Sequence, residues 1–154
     1  MSIMDAKLVF SACQTICQTD AFTQFISTNI VDLGAEDLEI GAGTPLYLNI
    51  RFATEWYTTA FGATGYVDFQ LDHDTGSTFV DTSPAVFKKR VNISDLITMG
   101  TGNGWIVRQA IPGVTKRYLR LMYTRGLNAD SSFTSPCCIN AWIAGAAPET
   151  NVGT

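Results

Sequence analysis

Charge is scarce in this chain of 154 residues: Asp, Glu, Lys and Arg make up 16% of it, against 46% hydrophobic residues. A chain so poor in charge is expected to have apolar surface that partners cover. Basic clusters are missing as well. The ten Lys and Arg residues are scattered, with Lys88, Lys89 and Arg90 as the longest run, and the formal net charge is -4. Nucleic-acid binding, which needs a concentrated positive footprint, is therefore not expected. No apolar run approaches the roughly 20 residues needed to span a bilayer. The start, MSIMDAKLVFSAC, has no charged leader followed by a long apolar stretch. We expect a protein made in a cytoplasm, with no membrane partner.

Residues that carry chemistry are also few. His73 is the single histidine, so any imidazole mechanism rests on it. It sits in LDHDTGST, where Asp72, Asp74, Gly76 and Ser77 favour a turn, and a hairpin tip is expected there. Asp72, Asp74 and Gly76 have the spacing of the start of a calcium loop, but the position of the closing bidentate acid is occupied by Ser83. The four cysteines are Cys13, Cys17, Cys137 and Cys138. Adjacent cysteines do not readily face one tetrahedral ion, so reduced, buried thiols are expected in place of a zinc site or a disulfide. With no metal, no cofactor and no nucleophile beside a base, the chain does not read as an enzyme.

What is present is alternation with period two, broken by turn residues. Strands are predicted over Lys7 to Ser11, Asn29 to Leu33, Leu46 to Thr54, Tyr66 to Asp72, Thr78 to Val80, Ala85 to Ile93, Trp105 to Ile111, Arg117 to Thr124 and Cys138 to Ala144. The one helical stretch, NISDLITM from Asn92 to Met99, has Ser94 as its candidate N-cap. About eight strands at this spacing make an all-β sandwich in a single domain, residues 1–145. Residues 146–154, AAPETNVGT, are expected to form a flexible tail. Ser27 to Ile50 reads as a strand, a corner and a strand, with Gly34, Gly41, Gly43 and Pro45 turning the chain and Pro112 with Gly113 making a second turn.

The loop TEWYTTAF places Trp56, Tyr57 and Phe61 together. Three readings fit it: a sugar-stacking platform, an anchor in a neighbouring subunit, or a cap on the end of its own sandwich. Arg117, Arg120 and Arg125 punctuate the strand RYLRLMYTR and are candidates to pair with a partner's carboxylates.

The run FSACQT, then STNIVDLGAEDLEIGAGTPLYLNI, and later IPGVTKRYLRLMYT followed by CINAWIAG, resembles the capsid cement, or head decoration, protein family of tailed bacteriophages typified by the Bordetella phage cement protein. The likeness is closest at Asp32, Leu33, Gly34, Ile40, Gly41, Gly43 and Pro45, and at Pro112, Gly113, Arg117, Tyr118, Leu119, Arg120 and Leu121. It implies a jelly roll on the outer surface of an icosahedral head. Such a protein would associate with itself as a dimer or trimer and bridge neighbouring capsomers of the major capsid protein. The competing functional reading is a carbohydrate-binding jelly-roll module of a virion, attaching to host glycans through Trp56 and Tyr57.

Overall fold

The computed structural model describes residues 8–16, 22–34, 46–53, 65–79, 85–101, 104–111, 116–127 and 138–145. Their elements are β1 (Val9–Thr15), β2 (Phe22–Ile26), β3 (Val31–Asp32), β4 (Tyr47–Phe52), β5 (Gly65–Asp74), β6 (Ala85–Asn92), α1 (Ile93–Thr101), β7 (Trp105–Ala110), β8 (Tyr118–Leu127) and β9 (Cys138–Ala144). One sheet has the order β1-β9-β4-β7; the other has the order β2-β8-β5-β6, with β3 also paired to β8. All pairings are antiparallel. The chain crosses repeatedly between the sheets, and of the sequential strands only β5 and β6 share a ladder. That wrapping makes the sandwich a jelly roll.

Alternation builds the core. Val67, Phe69 and Leu71 on β5 lie in register with Arg125, Tyr123 and Leu121 on β8. Their apolar members share one buried cluster with Leu48, Ile50 and Phe52 of β4 and Ile139, Ala141 and Ile143 of β9. Burying each large aliphatic or aromatic side chain contributes about 1.5–3 kcal/mol. Polar contacts also join the sheets. The Ser11 and Tyr123 hydroxyls are 2.8 Å apart in the interior, and Lys89 Nζ donates to the Ile106 carbonyl at 3.1 Å. Burial pushes the Tyr123 phenol above its ordinary pKa, so it stays protonated.

Several expectations need correction. Strand β2 was not anticipated, because FTQFI does not alternate. The predicted strand at Thr78 is instead a turn: Asp74 Oδ1 accepts the Gly76 N–H at 3.2 Å, and Phe79 has φ 49°. His73 lies within β5, not at the hairpin tip, which falls just beyond Asp74. Ser94 is inside α1, where its carbonyl accepts the Thr98 hydroxyl, and not at its N-cap. The cysteine expectation fails as well. Cys13 and Cys138 form a disulfide across β1 and β9, with Cα atoms 4.8 Å apart at a sequence separation of 125. Ladder pairing of the first and last strands creates that proximity, which sequence spacing does not reveal. Cys17, Cys137, Gly41, Gly43, Pro45, Pro112, Gly113 and the 146–154 segment lie outside the described residues. Gly34 does make a turn, with φ 86° and its N–H donating to Asp32 Oδ1 at 2.8 Å.

Candidate functional site

Each sheet turns one row of side chains to the core and the other outward, so this fold offers two broad faces for function. On β5 the outward row is Tyr66, Asp68, Gln70, Asp72 and Asp74, in register with Gly126, Thr124, Met122, Arg120 and Tyr118 of β8. On the other side Asp68 pairs with Arg90 of β6. Arg90 grips Asp68 through two hydrogen bonds, 2.7 and 2.8 Å long, while Lys88 approaches to 3.5 Å. The Arg90 guanidinium also stacks 3.6 Å from the Tyr66 ring centre. A Cβ at residue 126 would collide with that ring, so Gly126 admits the whole stack. Asp72 accepts from Gln70 at 2.8 Å and from Arg120 at 3.4 Å. Asp74 accepts from the Gly76 N–H of its own turn, and Asp68, Asp72 and Asp74 are 4%, 3% and 5% exposed although all three face outward. The Arg90 hydrogen bonds, outweighing desolvation, hold the Asp68 carboxyl below its ordinary pKa.

The outward row of the other sheet is built differently. Its four strands, VFSACQT, YLNIRF, WIVRQA and CINAWIA, contain no Asp or Glu. Asn49 of β4 lies between Trp142 on β9 and Arg108 on β7, and Arg51 lies between Asn140 and Trp105. The Trp105 and Trp142 ring centres are 5.6 Å apart. Two guanidiniums flank Trp105, Arg108 at 5.0 Å and Arg51 at 5.7 Å from the ring centre. Asn49 is fully buried; its amide donates to the Tyr47 carbonyl at 3.0 Å, but its Oδ1 has no hydrogen-bond partner. Ion pairs between described residues occur only on the β2-β8-β5-β6 sheet and its margin.

The residues singled out from sequence are dispersed. Arg117 holds Asp32 at 2.8 and 3.0 Å, lowering that carboxyl to about 2, chiefly through the hydrogen bond. Arg120 pairs with Asp72 and lies over the Phe79 ring at 4.3 Å. Arg125 is 1% exposed on the core side of β8. Trp56, Tyr57 and Phe61 are outside the described residues. His73 Nδ1 accepts the Lys116 N–H at 3.2 Å, and desolvation, followed by the Lys116 charge, depresses its pKa against the opposing pull of Asp72 and Asp74. Among the described residues no group of His, Cys, Asp and Glu is arranged to hold a metal ion. Arg51, Trp105 and Trp142 are not among the residues singled out from sequence. Their signal lay in LNIRF, WIVR and INAWI, where Asn, Arg and Trp occupy outward positions between core residues.

A family model described as Bbp16 matches residues 10–130. The chain belongs to the Bbp16 family. The match runs from β1 through β8, and thus covers most of the jelly roll. The Bbp16 name marks a phage protein, and membership points to a structural component of the virion. No curated protein matches the chain at a significant level.

Proposed function

We propose that this Bbp16 chain is a non-enzymatic cement protein, assembling with copies of itself on the outside of an icosahedral phage head and bridging neighbouring capsomers of the major capsid protein. Family membership together with the jelly-roll fold carries this reading. The chemistry of the described residues agrees with it. His73 is engaged as a hydrogen-bond acceptor, and the Asp68 and Asp72 carboxylates are taken up by cations of their own sheet. A protein that binds only the expanded shell stabilises that state by mass action, and many copies multiply a modest contact free energy over the whole head. Sedimenting bare expanded heads with the purified protein tests the reading. Depletion from the supernatant at about micromolar concentration is expected, and a supernatant that stays undepleted refutes it.

A further inference from the structure

We propose that the Cys13–Cys138 disulfide is a redox latch. A low-molecular-weight thiol opens it and the corresponding disulfide closes it, by exchange at Cys13, and closure holds the Gln14 side chain as a plug on the edge of β2. The device does not depend on the cement reading. The bond lies at the margin of its sheet, where β1 is an edge strand paired to β9 alone. Its two ends differ in access, Cys13 being exposed and Cys138 buried. The ladder is also interrupted here. Register shifts fall between Val9 and Ser11 and between Ser11 and Gln14. Cys13 holds φ 49°, a left-handed conformation uncommon outside glycine, and its N–H donates to Asn140 Oδ1 at 2.8 Å. The disulfide thus fixes a bulged stretch of an edge strand.

The two halves of β1 are anchored differently. Phe10 is buried in the core, its carbonyl accepts the Asn29 N–H at 2.9 Å, and the Ser11 hydroxyl meets that of Tyr123. This half stays in place when the bond opens. Gln14, next to Cys13, reaches across to the other sheet: its Oε1 accepts the Thr28 N–H at 3.0 Å and its Nε2 donates to the Ile26 carbonyl at 2.6 Å. Those are the bonds a neighbouring strand would make. Gln14 therefore blunts the side of β2 turned away from β8, in the way sheet edges are commonly protected. Released from Cys138, Cys13 relaxes out of its left-handed conformation and draws Gln14 off that edge. Ser27 and Asn29 keep their own bonds to the Leu121 and Phe10 carbonyls, so the release is local.

To open the latch, a thiolate RS⁻ attacks Cys13 Sγ, the S–S bond breaks, and its electron pair leaves on Cys138 Sγ, which takes up a proton. A second RS⁻ attacks the RS sulfur of the mixed disulfide, giving RSSR and a Cys13 thiolate that is protonated in turn. Two thiols are oxidised as the cystine is reduced, and closure is the reverse. Burial of Cys138 directs the exchange to the exposed end. Reducing surroundings such as a cell interior hold the latch open, and oxidising ones hold it closed.

Amide exchange followed by NMR, in oxidised protein and after reduction with dithiothreitol, tests the latch. Reduction is expected to speed exchange at the Cys13 and Thr28 amides about tenfold, while Ser27 and Asn29 keep their rates. Gln14→Ala should make Thr28 fast in both states and leave Cys13 responsive. On incubation with oxidised glutathione, reduced Cys138→Ser should take up glutathione at Cys13, and reduced Cys13→Ser should stay unmodified at Cys138, as located by fragment mass spectrometry. A Thr28 amide that exchanges alike in both states would overturn the proposal. So would exchange that rises throughout β5 and β8, which would make the bond a general staple. A Thr28 response that persists in Cys13→Ser would assign it to Cys17 or Cys137 and overturn it too. Equal modification of Cys138 and Cys13 in the two variants would refute Cys13 as the point of exchange.

Discussion

Strand β5 carries Asp68, Asp72 and Asp74 on its outward side, whereas β4, in the facing sheet, carries no acid. The sheets around them are secured by different chemistry. The β5 sheet closes its outer surface with ion pairs and the stack of Arg90 on Tyr66 on Gly126. The β4 sheet is joined covalently between β1 and β9 and leaves arginine, tryptophan and an unmet amide oxygen on its outward row. Among the described residues, the ion pairs lie on one of the two faces. Stability should therefore respond to redox conditions through one sheet, and to pH and salt through the other.

Reduction, or Cys138→Ala, should produce the largest change. Constraining a loop closed across 125 residues removes unfolded-state entropy, and its loss is expected to cost about 4–5 kcal/mol in urea unfolding. Equal midpoints for oxidised and reduced protein would show that the covalent link does not secure this sheet. Next comes Gly126→Ala, which forces the Tyr66 ring aside and disturbs the Arg90 grip on Asp68. A loss of about 2 kcal/mol is expected. If thermal denaturation shows no change, the ring is not held against that glycine.

Acid should act in two steps. The folded pKa of His73 is lowered, so the unfolded chain takes up the proton first, and stability falls as pH drops below about 6.5 toward the folded value. The Asp68 and Asp32 carboxyls are also depressed, so their stabilisation is present above about pH 4 and is lost as pH falls through their folded values, about 2 for Asp32. In melting temperature followed against pH, His73→Gln should remove the first step and retain the second. Persistence of the first step in that variant would assign it to another group. The smallest effect belongs to the other face. Arg51→Gln should alter stability by less than about 0.5 kcal/mol, as is usual for surface substitutions away from ion pairs and buried networks, and a larger loss would mean that the contact with Trp105 also serves the fold.

Much of this architecture was legible in the chain. Alternation in YLNIRF, GYVDFQLDHD and CINAWIA gave both the strands and their inward residues, because a period of two directly separates core from surface. FTQFI escaped notice because Phe25 and Ile26 are consecutive, and pairing with β8, not alternation, makes it a strand. The disulfide and the fates of Arg117 and Arg120 were not legible for a related reason. Asp32 lies 85 residues from Arg117 and Asp72 lies 48 from Arg120, so only the fold shows these arginines to be engaged. Arg51, Trp105 and Trp142 lie on three different strands, so no local window groups them as Trp56, Tyr57 and Phe61 are grouped. Trp105 and Trp142 become neighbours only through their common contact with β4.

Hydroxyl-radical footprinting of decorated heads tests the cement proposal and the contrast between the faces together. If the protein docks on the shell through one face, either Trp105 and Trp142 or Tyr66 lose reactivity on binding while the opposite face keeps the reactivity it has in the unbound protein. Unchanged reactivity at all three residues in the presence of heads would contradict the account.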